Sequence, residues 1–386
     1  MKHRWALALL ILALPLIVAC RGVTGTTGWA PPVELPNGET TVVLVRNGDD
    51  EISAIDIDGL EEIWRFPGEE NLFPGLGDEV NAEAFYGPPT PVGSPPEEFL
   101  VGSEEDGVVY AIRADGTSAR MIFDTESSII AGILVDGSIA YISTTDKHLY
   151  AVDVNQPEVA IWTYDAFGGE IWGTPALADS ETFGRLIVVP SMDGHLYAIR
   201  TAPDAGASRL AWEFSDTDSS VAANVVVEDG VAYVGSFDQN MYAIDVETGL
   251  AVWSAPSGNW IWATALIVDD VVYGADLSGK VWAWDRSNGL PIWAAPYDAE
   301  DEIRARPLLV DGALLVVAKN GTVHALEPAT GLSLWVTVTP IDDDVLADPV
   351  LIAGRILINN DDGDLFEVLL DAQTVQPVFP VQVLGT

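Results

Sequence analysis

The 386-residue chain is short of three things, and each shortage narrows what it can be. It has a single cysteine, Cys20, so an intramolecular disulfide, a cysteine-rich metal site and thiol-based catalysis are all ruled out. It has few cations: 17 Lys and Arg against 59 Asp and Glu leave a formal charge of −42, and the only lysines are Lys2, Lys147, Lys280 and Lys319. Such a surface repels phosphate backbones and anionic headgroups, so nucleic acid is not an expected partner. It suits either a solubilising, salt-adapted exterior or a field that draws in a cationic partner or divalent metal. Helical periodicity is missing throughout, as are a Gly-x-Ser-x-Gly nucleophile turn and a phosphate-cradling glycine loop.

The N-terminus reads as an address. Lys2, His3 and Arg4 precede an apolar run from Trp5 to Val18, too short for a membrane span of about 20 residues but proportioned like a secretory signal. The run ends Ile17-Val18-Ala19-Cys20, which resembles the lipobox of bacterial lipoproteins. The resemblance implies a signal peptide over 1–19, lipidation of Cys20, a flexible tether over 20–28 and a folded domain over 29–386. With Arg21 and not Asp in the next position, it further implies the outer membrane where the organism has one, and otherwise the cell surface. Two or more acyl chains suffice for stable anchoring.

One sentence recurs along the rest of the chain: a short strand carrying a small Ala, a turn, then a strand carrying a large aromatic. Ala54, Ala111, Ala151, Ala198, Ala243, Ala283 and Ala325 head the copies, with Glu367 in the eighth slot. Their spacings are 57, 40, 47, 45, 40, 42 and 42. The expected aromatics are Trp64, Phe123, Trp162, Trp212, Trp253, Trp293, Trp335 and Phe379. Each copy holds four strand-length runs separated by turn residues such as Asp229-Gly230 and Thr248-Gly249, which supply the positive φ that tight hairpins need. The fifth copy predicts strands at Asn224–Val227, Val231–Gly235, Met241–Val246 and Ala251–Ser254. Eight such copies predict an all-β chain: an eight-bladed β-propeller of four-stranded antiparallel blades. In it the outer-strand Trp reaches past its own sheet to the next blade, and the small Ala leaves room for the indole.

The stretch Ala243 to Trp253 (AIDVETGLAVW), with near matches at Ala283 to Trp293 and Ala325 to Trp335, resembles the repeat of pyrroloquinoline-quinone (PQQ) type propellers. With the lipobox and little beyond the eight repeats, the chain looks most like the BamB-type lipoproteins of outer-membrane assembly. That resemblance implies a non-catalytic, monomeric scaffold with no cofactor and no metal, whose partner is another envelope or membrane protein. The alternatives are an extracellular propeller that binds a small or saccharide ligand, and a PQQ-dependent dehydrogenase. Against the last, the quinone enzymes are longer, and a vicinal disulfide over the quinone cannot form around a lone Cys20.

The candidate site is the mouth of the ring, where the chain crosses into each blade. Counting back from each Ala gives one recurring position: Trp29, Pro88, Ile130, Trp172, Ala222, Trp262, Arg304 and Leu346. The nearby Trp260, Arg306, Asp342, Asp343 and Asp344, with Glu170, Asp301 and Glu302, complete an interaction surface of indoles and guanidiniums ringed by carboxylates. The long first crossing, Pro67 to Pro89, carries Leu72, Phe73, Phe85 and Tyr86 and is expected to contact a partner. His148 and His195 share a solvent-facing register, and Asn359 to Asp364 (NNDDGD) sits where the other copies have a hairpin turn, without the partners of a calcium loop.

Overall fold

The computed structural model describes residues 30–35, 40–47, 51–67, 85–93 and 96–379. Cys20, Trp29, Leu72 and Phe73 lie outside the described residues. The described chain is all β: eight four-stranded antiparallel sheets, each built from four consecutive strands. Blade 1 runs through Val33–Leu35, Val42–Arg46, Ile52–Asp56 and Glu61–Phe66, and blade 5 through Val226–Glu228, Val231–Gly235, Asn240–Asp245 and Ala251–Pro256. The other blades span 90–124, 134–164, 176–214, 266–298, 308–336 and 350–379. The innermost strand of blade 5 begins later than its sequence suggests, because Asn224 is turned to another task at the tunnel.

Eight apolar clusters sit one at each seam between neighbouring blades, which closes the sheets into a ring. Successive side chains of a middle strand serve opposite seams. Ala232 and Val234 pack toward blade 4, while Tyr233 packs toward blade 6. Strands covered on both faces need no polar alternation, which is why these segments read as continuous apolar runs. Among the described residues no strand is shared between blades 8 and 1. Val43, Val45, Ile55 and Ile57 meet Ile352, Leu357, Leu365 and Val378 there instead.

The repeated Ala and Trp stand directly opposite each other on paired strands at Ala54–Trp64, Ala151–Trp162, Ala198–Trp212, Ala243–Trp253 and Ala325–Trp335. A register shift follows each of these alanines, and such bulges bend and twist an outer strand. The indole then crosses the seam and lands on the turn of the next blade. Trp212, Trp253 and Trp293 donate their Nε1–H to the carbonyls of Val246, Arg286 and Pro328, each at 2.8 Å, and Trp64 reaches Ala114 at 3.3 Å. The turn glycine makes this approach feasible. A Cβ on Gly289, which holds φ +71°, would lie 2.7 Å from the Trp253 ring. Thr-Gly is therefore both a turn and the seat for the neighbour's tryptophan, a second role that its turn chemistry alone does not announce.

Two sequence expectations fail at this slot. Opposite Ala111 stands Arg120, and Phe123 pairs two positions away with Val109, where its ring meets Tyr150 of blade 3 at 5.1 Å. Opposite Glu367 stands Gln376, and Phe379 pairs with Leu365. In both seams an arginine replaces the indole. Arg120, paired to Glu98, donates to the Val154 carbonyl at 3.0 Å. Arg355, paired through both terminal oxygens to Glu367, donates to the Ile57 carbonyl at 2.8 Å. The Glu in the Ala slot is thus explained: it holds the guanidinium that does the indole's work.

Candidate functional site

The segment that carries the chain into each blade runs down the tunnel wall with a period of two. At the recurring mouth position Pro88, Ile130, Trp172, Ala222, Trp262, Arg304 and Leu346 all line one cavity of about 210 Å³. The residues between them in sequence anchor the segment. Ile129, Ile171, Val221, Ile261, Ile303 and Val345 precede the mouth residues and are buried in the seams, and Ala131, Ala223, Ala263, Ala305 and Ala347 follow them. The small residues are required because neighbouring segments meet backbone to backbone. A Cβ on Gly173 would lie 2.3 Å from the Ala223 carbonyl oxygen.

One step further down, small polar side chains tie blade to blade. Thr174 Oγ1 accepts from the Gly132 N–H at 2.9 Å, Asn224 Oδ1 from the Thr174 N–H at 2.7 Å, and Asp348 Oδ1 from the Arg306 N–H at 2.7 Å. Asn224 also donates to Thr264 at 3.0 Å. Burial pushes the Asp348 carboxyl up, against the pull of the Arg306 amide and charge. This belt escapes a reading of the mouth alone. Its signal is a polar residue two places after most mouth positions, as in Trp172-Gly-Thr, Ala222-Ala-Asn and Leu346-Ala-Asp.

The structure brings most of the expected site residues together and separates a few. Trp172 and Trp262 come from blades 4 and 6, yet their rings are 6.2 Å apart because only Ala222 stands between them. Arg304 lies 4.9 Å over the Trp262 ring and pairs with Glu302 at 3.4 Å. Arg306 belongs to the layer below, beside Asp348. Above the indole pair, Trp260 stacks on Phe237 at 4.9 Å and 13°, and Phe237 in turn lies 5.4 Å from Trp262. Phe237 is a site residue that the sequence pattern does not single out, since it lies on the turn between the second and third strands and not on the crossing. Asp342 and Asp343 are exposed, and Asp344 pairs with Lys319 at 3.2 Å.

The long first crossing needs a correction. Phe85 is no partner contact: it is fully buried against Phe66, 6.1 Å away, in the seam of blades 1 and 2. Tyr86 lines the cavity. His148 stacks on Tyr150 and His195 pairs with Glu213 at 2.7 Å, both half-buried and outside the cavity lining. Asn360 to Asp364 close a tight turn, with the Asp364 N–H donating to Asn360 Oδ1 at 2.8 Å. Among the described residues no three His, Cys, Asp or Glu side chains stand close enough together to hold a metal ion.

The sequence profile of the family described as "Outer membrane protein assembly factor BamB" matches residues 48–295, more than half of the chain. The chain belongs to this BamB family. Among solved structures, the BamB of Moraxella catarrhalis superposes with a TM-score of 0.64 at 19% identity, over 86% of this chain and 91% of that one. The crystal structure of the computationally designed protein Ika8 superposes with a TM-score of 0.67 at 14% identity, over 89% of this chain and 96% of that one. Identities this low speak for a shared propeller fold alone. No curated protein matches the chain in sequence. BamB membership and the ring geometry thus agree on architecture.

A second exposed apolar feature lies on the outer rim of this BamB-type ring. Leu250 and Val252, Leu290 and Ile292, and Leu332 and Leu334 are exposed beside the docked tryptophans of blades 5, 6 and 7. They sit at the turn end of the ring, opposite the mouth.

Proposed function

We propose that this protein is a non-catalytic scaffold of a bacterial cell envelope, tethered by a lipidated Cys20, that presents its mouth to another envelope protein. One observation carries the reading: the exposed Trp260, stacked on a half-buried Phe237, stands over a cavity of about 210 Å³. Trp172, Trp262 and Arg304 line that cavity, and they fit the side chains of a partner laid across the rim. The family's description as an outer-membrane protein assembly factor supports the same reading.

The test is a photocrosslinking residue placed at Trp260 in one variant and at Leu332 in another, activated in intact cells. The scaffold reading expects a defined envelope protein trapped from position 260 and not from 332. Crosslinks from 332 alone would move the epitope to the outer rim. Cys20→Ser should shift the protein out of the membrane fraction. Dehydrogenase turnover on adding PQQ and calcium would replace the scaffold with an enzyme.

A further inference from the structure

The rim of the mouth is chemically divided. In blades 3 to 8 the same backbone bond joins the turn between the second and third strands to the incoming segment. Its donors are Thr145, Met192, Phe237, Leu277, Lys319 and Asp361, and its acceptors are Ser128, Glu170, Ser220, Trp260, Glu302 and Asp344. Each bond sets two rim side chains next to each other. Over blades 4 to 6 the pairs supply the apolar Met192, Phe237, Trp260 and Leu277 beside Ser220 and a single carboxylate, Glu170, which accepts from the Trp172 indole at 2.8 Å, with Trp172 and Trp262 just inside. Trp260 is 43% exposed, an unusual position for the largest apolar side chain on a chain of charge −42. Over blades 7 and 8 the pairs supply Glu302, Asp344 and Asp361, reinforced by Asp301, Asp342 and Asp343. Lys319 is the one cation of those pairs, and it is already shared between Glu302 at 3.0 Å and Asp344 at 3.2 Å.

We propose that the mouth docks a cationic, apolar segment of a partner protein, its apolar side chains on the Phe237–Trp260 stack and its Lys or Arg side chains over the carboxylates of blades 7 and 8. The inference rests on the scaffold reading and adds the chemistry of the partner. Charge complementarity selects this occupant. A second copy of the chain carries the same −42 and is repelled, as are nucleic acid and anionic lipid. The two arcs adjoin, so one short extended segment spans both. Aromatic faces also attract Lys and Arg directly, which lets basic residues sit at the border of the arcs. The carboxylates of the acidic arc crowd one another: burial, together with Asp344, Asp343 and Asp362, pushes the Asp361 carboxyl up to about 6 against the pull of Arg46. A bound cation relieves that repulsion.

The probe is a fluorescein-labelled Lys-Leu-Lys-Leu-Lys peptide, titrated by anisotropy against the full-length protein in a non-ionic detergent. It should bind, weaken as salt rises, and outcompete its Glu-Leu and Lys-Ser counterparts. Trp260→Ala and the pair Asp343→Asn with Asp344→Asn should each weaken binding about fivefold or more. Asp204→Asn with Asp371→Asn, at the opposite end of the ring, should leave it within about twofold. Equal losses from both acidic pairs, or equal binding of the Lys-Ser peptide, would reduce the effect to bulk charge and overturn the proposal. So would displacement of the probe by a neutral saccharide without any salt dependence. If position 260 crosslinks an envelope protein while the Lys-Leu peptide fails to bind, the scaffold stands and this inference falls. If the peptide binds as described and nothing crosslinks at 260, the surface chemistry stands and the envelope scaffold falls.

Discussion

The seam between blades 5 and 6 and the seam between blades 8 and 1 meet one requirement with different side chains. In both, a backbone carbonyl three residues past the repeated Ala needs a donor from the neighbouring blade. Trp253 supplies it to Arg286 and at the same time fills the space over Gly289. Arg355 supplies it to Ile57 but brings a charge that Glu367 must balance. The indole adds a large apolar contact to its hydrogen bond, whereas the guanidinium adds an ion pair that salt and pH can reach. The same contrast separates the seams of blades 1 and 2 and of blades 2 and 3, through Trp64 and Arg120. Blades 1 and 2 are thus joined by a tryptophan and flanked on both sides by arginine seams. The ring asks only for a donor of the right reach, so the motif can drift while the architecture holds.

The sharpest way to break this comparison is Trp253→Ala. It should cost about 3–5 kcal/mol by opening a cavity between blades 5 and 6, read as a fall in chemical-denaturation midpoint that salt does not alter. An unchanged midpoint would remove the indole from the account. Next comes Gly289→Ala, which should cost about 2–3 kcal/mol, because it strains the backbone and drives a methyl into Trp253. Gly312→Ala has similar positive φ with nothing within 4 Å and should cost only about 1 kcal/mol. A Gly289 variant no worse than Gly312 would mean that the turn does not seat the indole. Arg355→Met should cost about 2 kcal/mol by leaving Glu367 unpaired, a value discounted because the pair is partly exposed. Adding Glu367→Ala should recover most of the loss, and a double variant as weak as the single would refute the Arg–Glu substitution for Trp–Ala.

The smallest effect is a pH dependence near the arginine seam. The Asp361 carboxyl keeps its proton up to about 6 in the folded protein, while the unfolded chain gives it up near the ordinary Asp value of about 3.9. Within that window the folded state holds more protons, so stability declines as pH rises from about 4 to about 6 and this contribution is flat above. Half-exposure limits the decline to roughly 1 kcal/mol. Asp361→Asn should remove it, seen as a flatter midpoint-against-pH curve.

Most of the architecture was legible in the Ala–Trp spacing, because one small residue opposite one large one is a packing rule that repeats with the blade. Phe123 and Phe379 misled because the seams they serve are held by Arg120 and Arg355, and a guanidinium carries no hydrophobic signature to count. The mouth was legible from its register, since period-two residues on an incoming segment share one wall of the tunnel. Phe237 and the Thr174–Asn224–Thr264 belt were not, because their partners belong to neighbouring blades. Phe85 was misassigned for a related reason. An aromatic in a long acidic crossing looks exposed until the seam that swallows it is built.

Among the described residues each blade is finished by its own four consecutive strands, and none bridges the last sheet and the first. During synthesis from the N-terminus, blade 1 can complete its sheet early, yet the face formed by Val43, Val45, Ile55 and Ile57 has nothing to cover it. That face waits until seven further blades have emerged and Leu357 and Leu365 arrive from the other end. A growing chain therefore carries a sticky flank for nearly the whole of its manufacture, the condition in which neighbouring copies aggregate. The arginine at this last joint suits a closure made late, since Arg355 can swing in from water already charged and paired to Glu367.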